Sequence, residues 1–421
     1  MLKLAETEMT KTLRARPQLG LGIRLVGREE EELLLEVVRS KQLFRYSYGL
    51  PPAEQGRMTA TLEREICEKM GVRHALAVTS GTAALEVALA ALEVGPGDEV
   101  ILPAWSWVSC FTAIVRLGAL PVLAEIDETF CLAPGEITRL RTPRTKAVLV
   151  VHYQGVAADM DPLLEEARQA RLPILEDCAQ AAGASYHGRR VGSMGAIGIY
   201  SFQHQKSMSS GEGGMVVTSD PLLYERAVRL HDLGFLRPYH TTLIEPQLDP
   251  FCGAQYRMNE LTGAVALAQL RKLDGIRAHC RRLSGRILAT IGSLPGLEFR
   301  RIPDPQGDSG IEIYLRLATP EQARAFRQEL DARNINCTKT TGTYCHYAQG
   351  YCISRATYLP AASPFRHFAE WPAKGYRAED FPRTEELIRR FVSLPVGILY
   401  TDEDADYMAE SIVEVHRRLS V

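Results

Sequence analysis

The chain has 421 residues, of which 46% are hydrophobic and 24% charged, so it can bury a substantial core and form more than one domain. Its formal net charge of -2 gives no electrostatic reason to expect nucleic acid or an anionic membrane as a partner, and favours a small polar metabolite. The nine cysteines form no CxxC pair, and the stretch after Met1, LKLAETEMTKTLRARPQLG, has no apolar signal-peptide core. We therefore expect reduced thiols and a cytoplasmic protein without membrane spans.

Short β-rich runs alternate with helical patterns through the first two-thirds of the chain. The strand candidates cover 74–78, 98–103, 147–153, 172–177, 197–202 and 214–219, and the clearest helix candidates between them cover 82–93 and 161–172. This spacing predicts that a crossover follows each strand, which is typical of an α/β domain with a mainly parallel sheet.

The pattern changes from about residue 280 onward. A helix is predicted over 281–294, a strand over 311–318 and a second helix over 320–334, which together indicate a smaller α+β domain. We therefore divide the chain into 1–280, an N-terminal segment with the large α/β domain, and 281–421, the small domain. Residues 347–385 are rich in proline, aromatics and arginine without a clear period, and are expected to carry surface or substrate loops.

Ligands of open α/β sheets bind at the carboxyl ends of the strands, so reactive residues are sought just after strand candidates. In TSGTAAL, residues 79–85, small residues open a helix whose N-terminus could hold a phosphate. The alternative is a simple helix cap at Ser80 or Thr82. In PAWSWVS, residues 103–109, Trp107 could stack on a flat heteroaromatic ligand, or could be a core side chain.

Two further strand ends carry charged groups. Glu176-Asp177 closes an apolar strand, where the carboxylate needs a cationic partner such as a protonated pyridine nitrogen, or else an arginine or a helix N-terminus. Lys206 lies in SFQHQKSMSSGEGG at 201–214, before the glycine cluster. A P-loop lysine follows its glycines, so this segment is not a P-loop. Lys206 is therefore either a solvated lysine or a Schiff-base amine. In this order, the four segments contain the parts required to hold pyridoxal 5'-phosphate (PLP).

Residues 20–280 closely resemble the DegT family of sugar and aminocyclitol aminotransferases. The resemblance lies in the segments SGTAAL, GPGDEVILPAWSWVS, TPRTKAVLVVHYQG, DMDPL, LEDCAQAAGASYHGRRVG, SFQHQKSMSSGEGGMVVT and YRMNELTGAVALAQL. It implies the fold-type I aminotransferase fold, with a large domain built on a mainly parallel sheet flanked by helices and a smaller C-terminal α+β domain.

The same resemblance implies a role for eight residues. Lys206 would form the Schiff base with PLP and then move protons, and Asp177 would pair with the pyridinium nitrogen. The other cofactor contacts implied are stacking by Trp107, a position near the phenolic oxygen for Gln180, and phosphate contacts from Gly81, Thr82, Ser201 and Asn259. The family supplies that asparagine from the neighbouring subunit, so a homodimer with shared sites is expected.

The reaction implied by the resemblance moves an amino group from L-glutamate or L-glutamine to a keto-sugar or keto-cyclitol, with PLP cycling through pyridoxamine phosphate. Gln203, three residues before the lysine, favours an acceptor from antibiotic or other secondary metabolism. Alternatives are an amino-sugar oxidase or deaminating variant, a dehydratase, which would normally replace Lys206, and a PLP-binding regulator. Arg257 and His346 are candidate substrate contacts, His204 is given no role, and the spacing of Cys345, His346 and Cys352 fits no zinc pattern.

Overall fold

The computed structural model describes residues 21–46, 51, 57–337, 344–367 and 375–420. The N-terminal stretch assessed above for a signal peptide, and positions 368–374 of the segment 347–385, lie outside the described residues. Within the described residues, every helix is too short or too polar to cross a membrane.

The described residues in the first two-thirds of the chain form nine strands. Their bounds are β1 His74–Val78, β2 Glu99–Pro103, β3 Leu120–Ala124, β4 Thr145–Val151, β5 Ile174–Asp177, β6 Ser185–Tyr186, β7 Arg189–Arg190, β8 Ile197–Ser201 and β9 Gly214–Thr218. Seven of them form one sheet in the order β1-β9-β8-β5-β4-β2-β3, and β6 and β7 form a separate two-stranded ribbon. All six strands expected from the sequence are present, whereas β3, whose LPVLA sequence contains a proline, is an additional strand.

The sheet is mainly parallel, as expected, with one exception. Five strands from β3 to β8 pair in parallel, but β9 pairs antiparallel with both β8 and β1. The prediction that a crossover follows each strand is therefore wrong for β8, because residues 202–213 return the chain directly to β9 without a helix. Those residues include Lys206.

The same described residues also form nine α-helices. They are α1 Arg28–Ser40, α2 Arg57–Met70, α3 Gly81–Ala91, α4 Val108–Arg116, α5 Glu136–Leu140, α6 Met160–Ala170, α7 Pro221–His231, α8 Pro238–Thr241 and α9 Glu260–Ile291. Helix α3, with the sequence GTAALEVALAA, is buried at nearly every position and packs against β8 and β9. A helix that is apolar all round needs such a fully buried position, since no face of it is suited to water.

Where it is described, the C-terminal third contains a smaller antiparallel sheet and five α-helices. The strands are β10 Glu298–Phe299, β11 Glu312–Arg316 and β12 Phe391–Pro395, and the helices are α10 Pro320–Ala332, α11 Gly350–Ser354, α12 Pro364–His367, α13 Pro382–Arg390 and α14 Asp402–Leu419. A second hydrophobic core lies here, formed by α10, α14, the strands and the C-terminal part of α9. The division at 280/281 falls inside α9 and stays a prediction.

Candidate active site

A cavity of about 230 Å³ lies at the carboxyl ends of β5 and β8. Seven of the eight residues expected to hold a cofactor line it: Gly81, Thr82, Trp107, Asp177, Gln180, Ser201 and Lys206. Ser80, Leu85, Ser109, Ala179, Ile199, Gln203, Gln205, Glu212 and Tyr344 complete the lining. Residues separated by more than a hundred positions therefore meet at one edge of the sheet, which is the usual location of ligand sites in open α/β folds.

Asp177 ends β5 and is 4% exposed. Its backbone is fixed because the His152 N–H donates to the Asp177 carbonyl oxygen at 3.0 Å. Its carboxylate accepts the Ala179 N–H at Oδ1, at 2.9 Å, and the Cys110 thiol at Oδ2, at 3.1 Å. These donors fix the direction of the carboxylate but carry no charge, so its own charge stays available to a cationic group in the cavity.

The neighbouring Glu176 is completely buried and makes a different set of contacts. His152 Nδ1 accepts the Ala158 N–H at 3.1 Å, so Nε2 carries the ring proton and donates it to Glu176 Oε2 at 2.9 Å. The same carboxylate accepts the N–H of Gly192 at 2.7 Å, that of Met194 at 2.6 Å and that of Gly195. Burial opposes ionisation, but these donors lower the pKa of Glu176, which therefore ties β4 and β5 to the loop before β8.

Lys206 lies in the connection between β8 and β9, with its amine at the cavity. Burial lowers the pKa of this amine from its ordinary value, although the charge of Asp177 and the neighbouring Cys110 oppose the shift. A lowered pKa raises the fraction of neutral, nucleophilic amine at physiological pH. The Gly22 N–H donates to the Lys206 carbonyl oxygen at 3.2 Å, and a Cβ at Gly22 would lie 2.8 Å from the Met208 Cα, so only glycine can approach this closely.

The N-terminus of α3 forms one end of the cavity. Ser80 caps this helix by accepting the Ala83 N–H at 3.0 Å, which confirms the capping interpretation without excluding a ligand. A Cβ on Gly81 would lie 2.6 Å from the Ser201 Cβ, so a glycine is required for β8 to approach the helix end. Thr82 Oγ1 lies 2.8 Å from Ser109 Oγ. Hydroxyl groups and unpaired helix N–H groups together make an anion site.

The middle of the cavity suits a flat ring. Trp107 is 42% exposed, so it is not the core residue that the alternative interpretation required, and its ring centroid lies 5.8 Å from that of Tyr344. Ile199 provides an apolar surface from β8. The Gln180 side chain lines the same space, and its buried Oε1 has no hydrogen-bond partner among the described residues. A bound ligand could satisfy this amide.

Four other residues considered in the sequence do not line the cavity. Asn259 is exposed and caps α9 by accepting the Thr262 N–H at 2.9 Å. Arg257 is paired with Asp232, and His204 is exposed. His346 is buried, with Nε2 at 2.7 Å from Ser106 Oγ, and burial lowers its pKa to about 3. His346 therefore packs as a neutral core side chain, so the structure gives no support for substrate contact by His346 or Arg257.

Sequence reasoning missed Cys110, Tyr344, Glu212 and Gly22. A signal existed for Cys110, which lies three residues after Trp107 at the start of the same helix. Glu212 lies inside the glycine cluster that follows Lys206, and that cluster was interpreted only through its glycines. Tyr344 and Gly22 reach the site through long-range packing, which no local pattern encodes.

Comparison with known proteins agrees with this geometry. The sequence profile of the DegT/DnrJ/EryC1/StrS aminotransferase family matches residues 52–413. The chain belongs to this family. Like its relatives, this DegT-family protein is an aminotransferase with the fold-type I architecture, as expected from the sequence.

Solved structures similar to this DegT-family chain are aminotransferases or a synthase of the same fold. The structure of 3-amino-5-hydroxybenzoic acid (AHBA) synthase is 28% identical, with a TM-score of 0.77 and coverage of 96% of this chain and 100% of that one. DesV of S. venezuelae, in complex with a ketimine intermediate, is 29% identical, with a TM-score of 0.77 and coverage of 95% and 98%. An aminotransferase from Psychrobacter cryohalolentis is 25% identical, with a TM-score of 0.78 and coverage of 94% and 98%.

The DegT family is in general PLP-dependent, and the cavity fits that cofactor on three independent observations. The first is an amine of lowered pKa, and the second is a buried carboxylate with only neutral donors. The third is the buried Gln180 oxygen without a partner among the described residues, close to a helix N-terminus that suits a phosphate.

Proposed function

We propose that this protein uses PLP to transfer an amino group from L-glutamate or L-glutamine to a keto-sugar or keto-cyclitol in the biosynthesis of an antibiotic or another secondary metabolite. The observation that carries the proposal is the position of Lys206 at the cavity, where the pKa of its amine is lowered and the charge of Asp177 acts on it. A lysine of lowered pKa and a buried carboxylate in one cavity are the pair that PLP chemistry requires.

When bound, PLP supplies an electron sink for the negative charge that develops at the substrate carbon. Asp177 would hold the proton on the ring nitrogen, because both donors to its carboxylate are neutral. Lys206 would hold the cofactor and then move the proton at the donor's α-carbon and at the acceptor carbon. Trp107 would stack on the ring and exclude water, Gln180 would contact the ring's oxygen, and Gly81, Thr82 and Ser201 would hold the phosphate.

The acceptor class is supported by the polar mouth of the cavity and by similar proteins. Gln203, Gln205 and Glu212 supply amide and carboxylate groups at the opening, which match the hydroxyl groups of a sugar or cyclitol. Among the similar structures, one is an AHBA synthase, and DesI, 25% identical, was solved in the presence of its TDP-sugar product.

The active unit in this proposal is a homodimer. Asn259 is exposed at the N-terminus of α9 and does not line the cavity of its own chain, which is where a residue serving a neighbouring subunit should lie. Replacing it, Asn259→Ala, should weaken PLP retention while the dimer persists. A monomer with full activity would contradict the shared site.

The deciding experiment is the absorbance spectrum of the purified protein with PLP, before and after addition of L-glutamate or L-glutamine. We expect a cofactor band characteristic of a lysine-bound form, and its conversion to the aminated cofactor by at least one donor. Lys206→Ala should lose both, whereas the matched variant Lys146→Ala, on β4 and away from the cavity, should lose neither.

Two outcomes would contradict the assignment. A lysine-bound band that ignores both donors would favour an oxidase-like variant or a regulator. Conversion of the keto acceptor by Lys206→Ala at the wild-type rate would contradict the catalytic role proposed for Lys206.

A further inference from the structure

Cys110 occupies the third position of α4 and is fully buried beneath the cavity. Its Sγ lies 3.1 Å from Asp177 Oδ2, within hydrogen-bond distance. We propose that Cys110 is a positioning residue, a weak donor that directs the Asp177 carboxylate towards the ring nitrogen while leaving its negative charge available there. The proposal rests on the proposed function, because it assigns a second residue to the site that binds PLP.

The direction of this hydrogen bond follows from the surroundings of the thiol. Burial, and then the charge of Asp177, raise the pKa of Cys110 well above its ordinary value, so the thiol keeps its proton. The thiol is therefore the donor and the carboxylate the acceptor. The second Asp177 oxygen accepts only the Ala179 N–H, so neither oxygen has a charged partner within the described chain.

The chemistry of sulfur explains why a thiol suits this position. A carboxylate has about four lone-pair positions, and each strong donor that occupies one lowers its basicity. A hydroxyl bound to a carboxylate would make a short, strong hydrogen bond, whereas a thiol is a weak donor. Cys110 thus fixes the direction of Asp177 at a small cost to its basicity, and that basicity determines how firmly the ring nitrogen keeps its proton.

The placement of Cys110 also links it to the rest of the site. Trp107 and Ser109, at the start of the same helix, line the cavity, whereas Cys110 is fully buried and contacts Asp177, which lines the cavity. The charge of Asp177, which Cys110 contacts, raises the pKa of Lys206 against the effect of burial. One helical turn therefore contributes to the stacking surface, to the polar wall and to the support of Asp177.

The first test measures the hydrogen bond in the cofactor-free protein, by the S–H stretching band of the infrared spectrum. The band lost in Cys110→Ala is that of Cys110, and it should lie at a frequency typical of a hydrogen-bonded thiol. Asp177→Asn should shift this band, because an amide oxygen is a weaker acceptor than a carboxylate. The buried Cys280, whose Sγ lies 3.7 Å from the Val396 carbonyl oxygen, serves as a control band that should not move.

An unchanged Cys110 band in Asp177→Asn would overturn the proposal. This result does not depend on PLP, so it separates failure of the proposal from failure of the proposed function, which the cofactor spectrum tests independently.

The second test compares Cys110→Ser and Cys110→Ala by steady-state kinetics and by the PLP dissociation constant. A positioning role predicts kcat in the order wild type, Cys110→Ser, Cys110→Ala, with a loss of about tenfold in the last, and an unchanged KM for the amino donor. The PLP dissociation constant should rise by about tenfold in Cys110→Ala and less in Cys110→Ser.

A packing role alone predicts no advantage of Cys110→Ser over Cys110→Ala, because both variants place a smaller side chain where the thiol was. Equal kcat in all three proteins, or Cys110→Ser below Cys110→Ala, would overturn the proposal. A kcat of Cys110→Ser at or above that of wild type would contradict the claim that a weak thiol donor suits this position better than a hydroxyl.

Discussion

Glu176 and Asp177 are consecutive residues of β5, both are buried, and their side chains have contrasting surroundings. Glu176 accepts hydrogen bonds from an imidazole and from three backbone N–H groups, and joins two strands to a loop. Among the described residues, Asp177 accepts hydrogen bonds from only one backbone N–H and a thiol, and it lines a cavity. A buried carboxylate with a full set of hydrogen-bond donors stabilises the fold. A buried carboxylate with few, neutral donors beside a cavity can instead interact with a cationic ligand.

The largest effect is expected from Asp177→Asn. This change keeps the shape of the side chain and removes its charge, so kcat/KM for transamination should fall about 10³-fold, or by about 4 kcal/mol. The cofactor-free protein should unfold at the same temperature or higher, because an underpaired buried charge is lost. Steady-state kinetics and thermal unfolding measure the two quantities. A strongly destabilised, active variant would reverse the roles assigned to the two carboxylates.

The corresponding change at the neighbouring position is Glu176→Gln. The amide presents N–H groups to backbone donors, so the free energy of unfolding should fall by about 3 kcal/mol, while the folded fraction stays active. Denaturant unfolding measures this loss. The exposed Glu165, paired with Arg168 on the surface, gives a control in Glu165→Gln, which should change stability by less than about 0.5 kcal/mol. Loss of activity without loss of stability in Glu176→Gln would contradict the structural role assigned to Glu176.

Gly81→Ala tests whether the helix end beside Asp177 holds the phosphate. The added Cβ would collide with Ser201, so the PLP dissociation constant should rise by about tenfold, or by about 1.4 kcal/mol. Fluorescence titration of the cofactor-free protein measures it. Gly275→Ala, inside α9 with open space around the position, should bind PLP normally and gain up to about 1 kcal/mol of stability. Equal PLP affinity in the two variants would contradict the proposal that the N-terminus of α3 binds the phosphate.

The smallest effect concerns the pH dependence of stability. The folded-state pKa of Lys206 lies below the ordinary value of 10.5, so the folded protein binds this proton more weakly than the unfolded chain. The contribution of Lys206 to stability is therefore fully present above pH 10.5 and is lost as the pH falls through the folded-state pKa. Cofactor-free Lys206→Met should be more stable than wild type by about 1 kcal/mol at pH 7, with the advantage shrinking towards pH 10.5. Denaturant unfolding at several pH values measures this difference, and a difference independent of pH would show that Lys206 has an ordinary pKa.

Local patterns in the sequence predicted six of the seven strands of the large sheet and the residues that follow them, because strand period and strand-end chemistry are properties of short segments. The residues proposed to hold the cofactor were assigned once the family resemblance supplied their roles. The antiparallel pairing of β8 with β9 was missed, because segment 202–213 is long enough to be a crossover connection. Its sequence does not show whether the next strand runs parallel or antiparallel to β8. The contact between Cys110 and Asp177 was missed because it depends on how α4 crosses β5, and the burial of His346 depends on packing against Phe111.

Helix α9 has a mechanical consequence for the whole molecule. It runs unbroken for 32 residues, about 48 Å at the usual rise per residue, and contributes side chains to both hydrophobic cores. Two bodies that share a continuous helix are not joined by a flexible linker at that point, and a sharp kink in the helix would disrupt its backbone hydrogen bonds. We therefore expect side chains and connecting loops to make the larger movements when the cavity admits and releases its ligands.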